Sequence, residues 1–108
     1  MEKVLIETNA LPVVERKPGW HGRYFDSANM TFAYYEIDAG ASIHAHSHPQ
    51  EEVWHVLAGR LELTVEGESF EAGAGGVAIV PPNATHAVKA LAASTAIVVD
   101  HPRREDFA

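Results

Sequence analysis

Gly40-Ala41-Ser42-Ile43-His44-Ala45-His46-Ser47-His48-Pro49-Gln50-Glu51-Glu52-Val53-Trp54-His55-Val56-Leu57-Ala58-Gly59 is the stretch that decides the fold of this 108-residue chain. Successive side chains of a strand point to opposite faces, so Ser42, His44, His46 and His48 share one face. Alternate residues on a face lie about 7 Å apart, and two imidazoles on a curved strand can converge on an ion between them. Pro49 and Gln50 then break the strand. Glu51-Glu52 opens a second run that can fold back beside the first and bring one of its two carboxylates to the histidines. An exposed His-rich strand has the same local pattern, so the surrounding frame has to separate the two readings.

Outward from this stretch, β-branched and aromatic runs recur between Gly, Pro, Asn or Asp, and no window sustains the i, i+3, i+4 period of a helix. The runs predict strands at 3–8, 22–25, 30–37, 42–46, 52–57, 60–65, 77–80, 86–89 and 95–99. Ala58-Gly59-Arg60 reads as a tight link whose glycine suits a hairpin turn, and Glu66-Gly67-Glu68 as a second turn. Gly73-Ala74-Gly75-Gly76 lacks the Lys-Ser/Thr of a phosphate loop, the spacing of a dinucleotide fingerprint and a following helix signal, which excludes both. Nine short strands at close turn spacing indicate an all-β sandwich or barrel of jelly-roll type. No repeat or low-complexity linker divides the chain, and 108 residues with 46% hydrophobic content suit one domain with one modest core.

Eight Lys and Arg against fifteen Asp and Glu leave a net charge of −7, which disfavours nucleic acid and anionic membrane surfaces as partners. The absence of cysteine excludes disulfides, thiolate catalysis and Cys-based zinc or iron-sulfur sites. The acidic N-terminus does not read as an export signal, and the apolar stretch 90–99 is about half of a membrane span. A soluble, cytoplasmic protein is expected. Seven histidines are the outstanding feature, and His21, His55 and His101 receive no metal role.

The intervals Gly40, five residues, His46, one residue, His48, three residues, Glu52, six residues, Gly59 match the first motif of the cupin superfamily, G-x5-H-x-H-x3-E-x6-G. The second motif, G-x5-P-x-G-x2-H-x3-N, is matched at Gly75, Pro81 and His86. It is departed from at Asn83, which replaces glycine, and at Ala90, which replaces asparagine. Asparagine tolerates the left-handed backbone, so the turn before His86 survives the first change. The chain thus resembles a compact single-domain cupin over at least residues 40–90. The resemblance implies a double-stranded β-helix, a small jelly-roll barrel spanning about 20–100, flanked by an N-terminal strand and a C-terminal tail. It implies His46, His48, Glu52 and His86 as ligands of one divalent transition metal (Fe, Mn, Ni or Zn) with open positions, acting as a Lewis acid.

Around that set, His44 shares the face of His46 and His48 and is a candidate proton shuttle or rim residue. Trp54 shares parity with Glu52 and is expected to line the pocket, with His55 on the other side. Phe32, Tyr34 and Tyr35 follow one another closely on one strand, and the sequence does not say which face inward. Glu51, Arg60, Glu62 and Glu66 read as solvated surface charges. In the tail, Asp100 at a strand end and Arg104 shortly after are placed to orient an acidic substrate, because arginine binds carboxylates in a bidentate fork.

His46-Ser47-His48-Pro49, Pro81-Pro82-Asn83 and the ending Arg104-Glu105-Asp106-Phe107 are similar to the pectin-degradation cupins, which open and ketonise unsaturated uronates. Two departures stand against that likeness: the tail is about two residues shorter and lacks a Phe between the aspartate and the arginine, and Glu52 stands where that family often has glutamine. The resemblance implies Asp100 as acid/base and Arg104 as carboxylate binder. The expected function is a metal-dependent enzyme acting on a small, anionic, oxygenated acid such as an unsaturated uronate. An Fe(II)-dependent dioxygenase and a non-catalytic sugar- or acid-binding cupin are the alternatives. A homodimer is expected, with residues 4–6 adding to a neighbour's sheet edge.

Overall fold

The structure, a computed structural model, describes residues 4–105. Ten strands build it: β1 (Val14–Lys17), β2 (Trp20–Asp26), β3 (Thr31–Ile37), β4 (Ser42–His46), β5 (Glu51–Ala58), β6 (Arg60–Val65), β7 (Glu68–Gly73), β8 (Val77–Val80), β9 (His86–Ala90) and β10 (Ser94–His101). They form a six-stranded sheet in the order β1-β2-β3-β10-β5-β8 and a four-stranded sheet in the order β4-β9-β6-β7. Every pairing is antiparallel. The predicted all-β jelly roll is the observed architecture. Among the described residues no helix is long and apolar enough to cross a membrane.

Alternation dictates which side chains enter the core. Along β3 the residues Thr31, Ala33, Tyr35 and Ile37 are buried and those between them are not. This settles the aromatic order: Tyr35 points inward, while Phe32 lies on the other face, stacked on Phe25 at 4.8 Å. Along β5 the same rule buries Glu52, Trp54 and Val56 and leaves Glu51 and His55 exposed. Trp20, Tyr35 and Trp54 pack as one aromatic group with ring centroids 5.4 to 6.3 Å apart. Leu61, Leu63, Val80, Val88 and Ala96 fill the remainder between the sheets.

Three expectations are corrected. The strand predicted at 3–8 is not formed: Lys3 lies outside the described residues, 4–7 carry no regular structure, and Thr8–Ala10 is a single 3-10 turn. Val4 and Leu5 are 95% and 70% exposed, and Ile6 is half-buried. The first strand is β1, whose Val-Glu-Arg-Lys is exposed along its whole length and lacks the alternation that announces a half-buried strand. β7 was missed for the same reason, since its first four residues are all exposed on a sheet edge. The turn read at Glu66-Gly67 does join β6 to β7, with φ of 50° and 80° at its two residues, as a two-residue hairpin requires. Gly59 is not a hairpin residue. It takes a φ of 84° where the chain leaves one sheet for the other, packed so closely on Ala93 and Ser94 that a side chain has no room.

Candidate metal centre

His46 closes β4 and His86 opens β9, and the two are register partners, which sets their rings 4.3 Å apart. The β4–β9 register slips between Ile43 and His46, supplying the strand curvature that convergence of the histidines needs. His48 follows two residues later, with its ring 5.6 Å from His46 and 4.9 Å from His86. The Asn83 turn supports it: Asn83 adopts a φ of 65°, as the glycine it replaces would, and its N–H donates to the His48 carbonyl at 2.8 Å.

All three imidazoles are tethered in the same way. Nδ1–H donates to a backbone carbonyl, in His46 to His44 at 2.9 Å, in His48 to Gln50 at 3.1 Å and in His86 to Ala84 at 2.9 Å. A carbonyl can only accept, so in the neutral ring these bonds place the proton on Nδ1 and leave Nε2 with its lone pair. The Nε2 atoms of His48 and His86 are buried without a hydrogen-bond partner. Donor atoms of His46, His48 and His86 all lie within 4.8 Å of one another. Buried, unpaired imidazole nitrogens aimed at a common point are costly unless a cation completes them, so this donor set fits a divalent metal.

Glu52 is the carboxylate that joins them, because β5 alternation turns it inward and turns Glu51 out. Its Oε1 lies 3.3 Å from His48 Nε2 and its Oε2 lies 3.2 Å from His86 Nε2. Burial disfavours its charge, but contacts from His48, His86, Asp100 and Trp54 outweigh burial and hold its carboxyl well below the usual range. Burial likewise lowers His46, keeping it neutral. In His86 burial is outweighed by Glu52, which shifts that imidazole upward.

Asp100 lies beside Glu52 as its register partner on β10 and is 1% exposed. Burial and the Glu52 charge push it up to about 8, with Arg104 opposing. The two adjacent carboxyls are thus pushed in opposite directions, Glu52 toward the ionised form and Asp100 toward the protonated one. Arg104 donates to Asp100 Oδ2 at 3.4 Å and stands 3.9 Å from Glu52 Oε1. The tail is anchored at this point: the Arg104 N–H donates to Thr31 Oγ1 at 2.8 Å, and Thr31 donates to Asp26 at 2.7 Å. Asp106 and Phe107 of the tail motif lie outside the described residues.

A cavity of about 290 Å3 opens onto this group, lined by His46, Glu52, Trp54 and Arg104. His44 is at its rim, exposed, with its ring 6.2 Å from that of His46 and outside the ligand cluster. Trp54 is 2% exposed and serves both core and cavity, donating its indole N–H to Glu52 at 2.6 Å. Replacing Trp54 with Phe keeps the packing and removes that donor. The variant is expected to bind metal about 10-fold more weakly, the usual effect of losing a group that orients a ligand, as isothermal titration would show. Sequence reading missed Arg16, Lys17, Tyr24 and Thr31. The first three line the cavity from β1 and β2, whose approach to residues 44–54 no local pattern encodes.

Comparison with known proteins agrees with this picture. The sequence model of the cupin domain matches residues 33–102. The uncharacterized protein SCO3923 of Streptomyces coelicolor is 32% identical over 68 residues, covering 63% of this chain and 65% of that protein. The matched segment thus spans just under two thirds of that relative. Among solved structures, KdgF from Halomonas sp. superposes with a TM-score of 0.90 at 22% identity, over 99% of this chain and 100% of that one. An RmlC-like cupin from Shewanella frigidimarina gives 0.91 at 21% identity, over 99% and 97%. At such identities the likeness is one of fold.

Proposed function

The chain belongs to the cupin domain family, and we propose that it is a metal-dependent enzyme acting on a small oxygenated acid, an unsaturated uronate that it opens and isomerises. The observation that carries this reading is the meeting, at one end of the two sheets, of three groups the chemistry needs. These are a cluster of three imidazoles with a carboxylate, the buried carboxyl of Asp100, and the guanidinium of Arg104. The tail pattern shared with uronate-opening cupins points to the same class of substrate.

His46, His48, Glu52 and His86 would hold the ion. A divalent cation there supplies Lewis acidity toward an enol or carbonyl oxygen. The chain's own residues do the rest. Arg104 binds the substrate carboxylate and keeps the acid in one orientation. Opening the ring breaks the C–O bond between the anomeric carbon and the ring oxygen and passes the anomeric hydroxyl proton to that oxygen, leaving an aldehyde and an enol; ketonisation then places one proton on carbon and returns the enol proton to the donor. Asp100, protonated and beside Arg104, is the donor for that last transfer, and His44 at the rim exchanges protons with solvent. Trp54 and Tyr35 form an apolar wall that limits water around the reacting end.

Protein stripped of metal and reloaded separately with Fe(II), Mn(II), Ni(II) or Zn(II) is expected to consume unsaturated monouronates. Loss of the ultraviolet absorbance of the conjugated double bond would report the reaction, with the stripped protein at least about 100-fold slower. Absence of turnover with every ion, in protein shown to hold the metal, would remove the uronate reading.

A further inference from the structure

Arg16 and Lys17 are consecutive residues of β1, yet both line the cavity of the metal centre. In a regular strand their side chains would point to opposite faces. The register breaks here. Val14 and Glu15 pair with Gly22 and His21, then Lys17 pairs with Trp20, so Arg16 is the extra residue of a β-bulge. Bulges re-aim side chains, and this one sends two neighbouring cations to the same place.

The guanidinium of Arg16 lies over the ring of Tyr24 at 3.9 Å. Tyr24 in turn donates its hydroxyl to that of Tyr35 at 3.3 Å, with the two rings edge to face. Gly22 makes this arrangement possible: a Cβ at that position would sit 2.6 Å from the Tyr24 ring carbon that bears the hydroxyl. Tyr24 therefore folds back across its own strand only because position 22 has no side chain. A guanidinium stacked on a held ring loses less freedom when it binds a ligand than a loose surface lysine does.

Arg16, Tyr24 and Arg104 also line a neighbouring, more polar cavity of about 460 Å3, so both guanidiniums stand on the wall the two cavities share. In a chain of net charge −7 with only eight Lys and Arg, three of them (Arg16, Lys17 and Arg104) converge on one cavity. Among the described residues the lining carboxylate is Glu52, already engaged by Trp54 and lying against His48 and His86. A low-dielectric cleft with that imbalance concentrates anions against the field of the whole molecule.

We infer that Arg16, aimed by the bulge and held on Tyr24, is a specificity-determining residue that binds the carboxylate of a sugar-acid substrate jointly with Arg104. This rests on the cavity being the substrate site of the proposed function. It makes the site one for monomeric anions: the cavity is at the small end of the roughly 300–1,000 Å3 usual for ligand pockets, enough for a single sugar acid, and neutral sugars of equal size lack the group Arg16 holds.

Isothermal titration with glucuronate and with neutral glucose tests this on the metal-loaded protein and again on metal-free protein. Wild type is expected to bind glucuronate and not glucose. Arg16→Gln should weaken glucuronate binding at least about tenfold, Arg16→Lys less, and Tyr24→Leu in the same direction. Arg60→Gln removes the same charge from a surface pair with Glu71 outside both cavities and should change nothing. Metal content by mass spectrometry should be equal in all variants. Undiminished glucuronate binding by Arg16→Gln, an equal loss in Arg60→Gln, or equal affinity of wild type for glucose would each overturn the proposal. With metal bound, those results leave the metal-enzyme reading standing. Arg16-dependent glucuronate binding in a protein that takes up no metal would support the proposal while removing that reading.

Discussion

Exchange of His86 for alanine is expected to lower the affinity for divalent metal by more than about 100-fold, read by isothermal titration and by metal content after dialysis. His86 is 2% exposed, tethered through Nδ1 to Ala84 and set by register beside His46, so its Nε2 is held in place by the fold rather than by the metal. Binding to the folded state alone stabilises that state. Wild type in metal at 100 times its dissociation constant should gain about 2.7 kcal/mol, a rise in Tm on the order of 10 °C for a domain of this size, and the variant should gain almost none. Glu51→Gln is the control, because Glu51 is exposed and takes no part in the cluster. A His86→Ala protein that holds metal as tightly as wild type would remove the proposed centre.

The second large effect is expected at Asp100. Asparagine has the same shape and keeps an oxygen to accept from Arg104, so the variant should fold and retain its metal. It has no proton to transfer, and kcat should fall by about 10^2 to 10^4 on the uronate substrate, the usual contribution of a positioned acid. Arg104→Gln should act differently, raising KM more than it lowers kcat, because the lost interaction is with the bound carboxylate. Near-normal turnover by Asp100→Asn would move the proton transfer elsewhere, to His44 in the first instance, and His44→Gln would then carry the loss.

Much of this site is legible in the chain because its parts are local. His46, His48 and Glu52 fall within seven residues, and strand alternation with one break orients them. The choice between Glu51 and Glu52 follows from the same alternation once the strand start is known. Asp100 was legible as a residue near the site; its pairing with Glu52, and hence the protonation difference between the two carboxyls, was not. That pairing depends on the register of β10 against β5, nearly half the chain apart. β1 and β7 escaped detection because edge strands exposed on both faces have no hydrophobic period to read. The same blindness hid Arg16, whose approach to the cavity depends on a bulge in one of those strands.

The all-β class, the spacing of the histidines and glutamate, and the turn at Asn83 are readable along the chain. Each of these follows from backbone stereochemistry acting over a few residues. The closing of the two sheets is what brings the three imidazoles together, sets Asp100 beside Glu52, and puts Arg16 on a wall shared with Arg104. Those outcomes depend on burial and on register between distant strands, which are set by how two sheets close over a common core.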